Sequence, residues 1–205
     1  MRFAGFVVVV LSSLSTLFGS PIGTYTFTGI ASGSIGSEAF SDATLTVTAT
    51  GDVSTVMFTS PTYFLDIPGG LSTFSISGIG SGTFTDETYV FDNTDGVAGF
   101  GDDGATKCCD IIQTSDSAIG STAFATYNLQ SSIGPLGPEA SDPSIGDWAG
   151  LNTSLGSFTV TSYDSVVFQA TVGAVPEPRT LPVLGIGLVG MIVFMARRKH
   201  SLSRL

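Results

Sequence analysis

The chain has 205 residues with 17 acidic and 7 basic side chains, a formal net charge of −10. All the acids lie between Glu38 and Glu177, where Lys107 is the sole base, so that interval carries about −16. Such a surface repels nucleic-acid phosphate and excludes a nucleic-acid binder, while it favours solubility and weak association with cations.

The N-terminus opens with Met1-Arg2, followed by apolar stretches over 3–11 and 14–18. A short basic start before an apolar segment predicts a secretory signal peptide over 1–20, formed as a signal helix. No A-x-A site marks the cut, and Pro21 would block cleavage after Ser20, so maturation is expected between residues 18 and 24. An uncleaved anchor is the alternative.

Residues 21–174 form the expected exported domain, long enough for one core. It is rich in Gly, Ser, Thr, Val and Phe and poor in helix formers, which favours strands. The clearest strand is 43–50, where Ala43, Leu45, Val47 and Ala49 share one face and Thr44, Thr46, Thr48 and Thr50 the other. Before it, 24–28 alternates with Tyr25 and Phe27 inward. After it, Gly51-Asp52 predicts a turn and 53–59 the return strand. Further strands are predicted at 73–77, 83–85, 88–91, 123–129, 157–161 and 166–172. Gly/Pro clusters separate them, and 131–150 reads as a long loop that Trp148 pins to the core. The expected fold class is all-β, an antiparallel β-sandwich or jelly-roll-like ectodomain. The single threonine row suits a solvent-facing strand and is too little for an ice-binding array.

Chemistry is sparse. The only histidine, His200, lies near the C-terminus, so the exported domain has neither a Ser-His-Asp or Cys-His arrangement nor a histidine zinc site. Acids are plentiful, but a paired-carboxylate hydrolase needs a carboxyl raised by apolar surroundings. Asp66, between Leu65 and Ile67, comes closest. The expectation is a protein that is not an enzyme. Asp92, Asp95, Asp102 and Asp103, interleaved with Gly96, Gly101 and Gly104, are the candidate ligands for calcium, which takes several carboxylate and carbonyl oxygens. The spacing fails the EF-hand pattern, and Asp/Asn with Gly is also ordinary turn chemistry. No other cofactor is expected. Cys108 and Cys109 are adjacent beside Lys107. A strained vicinal disulfide, two thiols and an intermolecular link all remain open, since neighbouring Cα atoms are about 3.8 Å apart.

The last segment, 175–205, is the most informative. Val175, Pro176, Glu177 and Pro178 precede an uncharged apolar run over 180–196, then Arg197, Arg198 and Lys199. As a helix at ~1.5 Å per residue, that run spans roughly 25 Å, the short end of a transmembrane helix. Flanking side chains can snorkel, and the basic cluster predicts a cytoplasmic C-terminus. Gly185, Gly187 and Gly190 match G-x-G-x-x-G, but the strand before it and the acidic residue about 20 positions on are missing, so no dinucleotide site is read there.

This order of motif, apolar span and basic stop resembles the PEP-CTERM sorting signal, also known as an ice-binding-protein C-terminal domain. The resemblance covers about residues 175–200. It implies recognition of Pro176, Glu177 and Pro178 by exosortase, a membrane-embedded processing enzyme, with Arg197, Arg198 and Lys199 as the stop. It further implies transient anchoring in the membrane, cleavage near the motif, and release to the cell surface or an exopolysaccharide matrix. The expected role is structural or adhesive; a membrane-tethered glycan- or calcium-binding module is the alternative. The stretch 152–159 and the strand after it also look like the last hairpin of such ectodomains.

Overall fold

Two-residue alternation builds the first two strands, β1 (Ile22–Ile35) and β2 (Glu38–Asp52). Tyr25, Phe27, Leu45, Val47 and Ala49 are fully buried, while the intervening threonines face outward. The computed structural model describes residues 20–102, 109–139 and 150–173, apart from the side chains of Cys109 and Glu139. The expected signal helix, the transmembrane helix over 180–196, Trp148 and the basic tail lie outside the described residues. Among the described residues, no helix is long and apolar enough to cross a membrane.

The remaining strands are β3 (Met57–Thr59), β4 (Thr62–Ile67), β5 (Ser72–Ile76), β6 (Gly80–Thr83), β7 (Thr88–Asn93) and β8 (Val97–Asp102). After these come β9 (Cys109–Ser115), β10 (Ile133–Glu139), β11 (Leu151–Thr153) and β12 (Gly156–Gly173). A four-residue helix, α1 (Asp116–Ile119), follows β9. The protein is all-β, in two antiparallel sheets. One has seven strands in the order β10-β12-β1-β2-β5-β6, with β11 also paired to β12; the other has five, β3-β4-β7-β8-β9.

Both sheets turn their apolar faces to one core. In the larger sheet, Phe168, Phe27, Val47 and Phe74 form a row, set by the pairings Phe27↔Phe168, Phe27↔Val47 and Val47↔Phe74. The smaller sheet contributes Leu65, Ile67, Val90, Ala98, Phe100 and Ile112. Phe84 joins the two: its ring centroid lies 5.3 Å from Phe100 and 5.5 Å from Phe158. Ser72 of β5 and Thr88 of β7 share a buried hydroxyl hydrogen bond of 2.7 Å between the sheets, which satisfies both polar groups away from water.

Four expectations need correction. The segment 53–59 does not return along β2. Asp52 instead caps a 3₁₀ turn over Val53–Thr55, accepting from Ser54 N at 2.9 Å, and the chain crosses into the second sheet as β3. The segment 123–129 is not a strand: Phe124–Thr126 forms another 3₁₀ turn, and buried Phe124, Tyr127 and Leu129 carry the chain under the core. The presumed loop 131–150 contains β10, which pairs with β12. Finally, 157–161 and 166–172 belong to one strand, β12. A bulge with Ser165 at φ 56° absorbs the polar interruption, and Gly29 opposite lets the strands approach closely, since a Cβ there would stand 3.0 Å from Asp164 O. The expected hairpin near 152–159 is present, with Thr153 paired to Gly156.

Candidate functional site

The sorting residues Val175, Pro176, Glu177, Pro178, Arg197, Arg198 and Lys199 lie outside the described residues, as do Asp103 and Cys108. Cys109 opens β9, with its backbone paired to Asp102.

The acidic stretch does not form one loop. Asp92 pairs with Ala98 in the β7–β8 hairpin, whereas Asp102 pairs with Thr88 at its other end. Four residues of extended strand, about 13 Å, therefore separate Asp92 from Asp102 along the sheet. Asp95 sits in the exposed turn, where its N–H donates to Asn93 Oδ1 at 2.8 Å. Among the described residues no three acidic, cysteine or histidine side chains gather as a metal cluster.

Asp92 is instead fully buried. It lies on β7, the middle strand of the smaller sheet, which is covered on both faces. Tyr89 and Phe91 occupy one face; Val90 and Asp92 share the other with Ala98 and Thr114, the next residues in the same cross-strand row. Thr114 is also fully buried. Neither oxygen of Asp92, nor Thr114 Oγ1, has a hydrogen-bond partner among the described residues. Burial and the nearby Asp116 carboxylate push the Asp92 carboxyl up to about 8.

Asp116, the first residue of α1, is held firmly. Its N–H donates to Gly96 O at 2.7 Å, and its carboxylate accepts from Phe124 N at 3.0 Å and Ala125 N at 3.1 Å. Gly96 has φ 94°, and a Cβ there would lie 3.2 Å from Asp116 Oδ2, so the β7–β8 turn and α1 press together. Tyr127 closes this region from the second 3₁₀ turn. Its hydroxyl donates to Ser131 O at 3.0 Å, and burial followed by the fields of Tyr25 and Asp92 raises its pKa. Tyr25 Oη donates to Leu129 O, and burial raises its pKa as well.

The outer face of the larger sheet is the second candidate surface. Thr26, Thr48, Thr73 and Thr83 form one cross-strand row, and Thr28, Thr46, Ser75 and Ser81 the next. A shallow groove of about 360 Å³ opens over β2, β5 and β6, and its polar lining is hydroxyl-bearing. The single threonine row of β2 thus continues onto three neighbouring strands. The signal for β1 was already in the sequence, as Thr24, Thr26 and Thr28 between inward aromatics; the pairing of β5 and β6 beside β2 was not.

A third feature is aromatic. Phe58 and Tyr63, on β3 and β4, have ring centroids 4.6 Å apart, and Phe58 is 54% exposed. Thr94 N donates to Pro61 O at 3.0 Å, which places this pair beside the β7–β8 turn.

No curated protein and no solved structure matches the chain. Residues 174–199 match the family model of the PEP-CTERM protein-sorting motif. The C-terminal segment is therefore a PEP-CTERM protein-sorting motif, which implies export, a transient membrane anchor, and sorting through exosortase to a surface or extracellular location.

Proposed function

We propose that the exported domain is a non-enzymatic, structural or adhesive β-sandwich that associates with exopolysaccharide through the threonine/serine face of its larger sheet. In this reading the signal peptide is removed on export, the anchor is oriented with its C-terminus in the cytoplasm, and exosortase frees the domain near Pro176, Glu177 and Pro178. The observation that carries the proposal is the two-dimensional array of hydroxyls on β1, β2, β5 and β6. Strands are about 4.8 Å apart and alternate residues about 6.8 Å apart, so donors and acceptors repeat at intervals a polymer of hydroxyls can follow. Each contact is weak, and a long polymer would gain avidity by engaging many at once. The absence of charge from these two rows also suits a neutral polysaccharide.

The test is matrix retention in the host. In one variant, Thr46, Thr48, Thr73 and Thr83 become valine, which keeps the shape and removes the hydroxyls. In another, Pro176, Glu177 and Pro178 become alanine. The valine variant should be exported and trimmed normally but wash out of the matrix several-fold more readily; unchanged retention would rule the face out. The alanine variant should stay full-length in the membrane by intact mass.

The exposed Phe58–Tyr63 pair favours a second reading, a binding module for a defined glycan, because sugar rings stack on aromatic faces. Replacing Phe58 with alanine would then abolish binding of a short oligosaccharide while leaving bulk matrix retention intact.

A further inference from the structure

We infer that Asp92, Thr114 and Asp116 hold a hard, oxygen-seeking cation inside the exported domain, with calcium the best fit. The site differs from the candidate ligand set Asp92, Asp95, Asp102 and Asp103: it uses Asp92 but neither Asp95 nor Asp102, and it lies on the buried face of the smaller sheet.

Three observations converge. First, three buried oxygens, both from Asp92 and one from Thr114, belong to one cross-strand row with Ala98 between the two residues, and none has a hydrogen-bond partner among the described residues. Buried polar atoms in folded proteins are normally satisfied, so three unpartnered oxygens flanking a small residue on one face of the sheet call for a ligand. Second, Asp116 supplies a carboxylate already oriented by Phe124 N and Ala125 N. A carboxylate has about four acceptor positions, so it keeps capacity for a metal. Third, the described residues include no lysine, arginine or histidine that could neutralise Asp92.

A proton on Asp92 would neutralise it but would leave Thr114 Oγ1 still without a partner among the described residues. A cation satisfies all three oxygens together. All the donors are oxygens, which suits calcium, magnesium or sodium rather than zinc or copper. Calcium tolerates irregular geometry and readily uses carboxylate and neutral oxygen ligands. Magnesium demands near-ideal octahedral geometry and gives up its waters reluctantly, which suits a fully buried carboxylate less well.

The experiment uses the full chain in detergent, stripped with a chelator and then given calcium or magnesium chloride. Metal content after gel filtration and the thermal midpoint by circular dichroism are both read. The expected result is about one calcium retained per chain and a midpoint raised by several degrees, with a smaller response to magnesium. Asp92→Asn should keep the strand spectrum and lose both the bound calcium and the shift, and Thr114→Val should weaken calcium binding about tenfold. A wild-type midpoint indifferent to calcium and chelator, with no metal retained, would overturn the inference and leave water or a proton as the occupant. Equal calcium binding by Asp92→Asn would also overturn it, by assigning the ion to the acidic surface. If Asp92→Asn does not fold, Thr114→Val decides: affinity equal to wild type rejects the site.

Discussion

Replacing Asp92 with asparagine should stabilise the metal-free protein at neutral pH, an unusual outcome for a change at a fully buried position. Folded Asp92 keeps its proton up to about pH 8, whereas the ordinary carboxyl value is 3.8. Between those values folding takes up a proton, so the stability contributed by the neutral carboxyl is complete below about pH 4 and is lost as pH rises through about 8. At 1.36 kcal/mol per pH unit, the interval from 3.8 to about 8 corresponds to at most ~6 kcal/mol, of which about 4 is gone by pH 7. Relaxation and water entry around a buried charge reduce this, so the difference expected at pH 7 is about 2–4 kcal/mol. Asparagine has nearly the same shape and no charge to desolvate. The titratable neighbours are Asp116 on α1, Tyr127 in the 3₁₀ turn and Tyr63, the register partner on β4, and all are common to both proteins. Urea denaturation in chelator at several values between pH 4.5 and 8 reads the effect. The two curves should nearly coincide at the acid end and diverge steadily upward. A constant difference across the range, or an asparagine variant that is less stable at pH 7 than at pH 4.5 by the same margin as wild type, would show that Asp92 is already ionised and satisfied.

Two structural predictions follow from packing. Phe168 is fully buried, with ring centroids 4.8 Å from Phe27, 5.6 Å from Phe124 and 6.0 Å from Tyr127, so Phe168→Ala should cost about 3–5 kcal/mol in a denaturant titration. A Cβ on Gly33 would stand 2.0 Å from the carbonyl oxygen of Thr159, and backbone cannot rotate aside as a side chain can. Gly33→Ala should therefore lower stability by about 1–3 kcal/mol and speed hydrogen exchange along the β1–β12 ladder; a neutral effect would show that the ladder yields easily there.

Sequence legibility varied with the range of the interaction involved. The C-terminal motif is contiguous: Pro176-Glu177-Pro178, the apolar span and Arg197-Arg198-Lys199 stand in one stretch, and the family model for that motif matches there. The alternation of β1, β2, β5 and the ends of β12 was equally legible, because a half-buried strand writes its two faces in successive residues. Local pattern misled where one short stretch could serve two ends. Gly51-Asp52 resembles a hairpin turn, yet Asp52 caps a 3₁₀ turn and sends the chain to the other sheet. The run 123–129 has strand-like residues, but Phe124 and Tyr127 are buried through tight turns.

The sequence by itself determined the sorting address, the all-β class, the acidic balance of the exported part and the inward set of Tyr25, Phe27, Leu45 and Val47. These depend on composition, contiguous motifs or two-residue periodicity. Only the tertiary structure decided which strands are neighbours, and two consequences hang on that choice. Placing β5 and β6 beside β2 turned one threonine row into a hydroxyl face. Placing β7 in the middle of its sheet took Asp92, which looks like the start of a surface turn, and enclosed it with Thr114 and Asp116. Strand order joins residues far apart in the chain through hydrogen bonds that any backbone can make, so side-chain sequence carries little record of it.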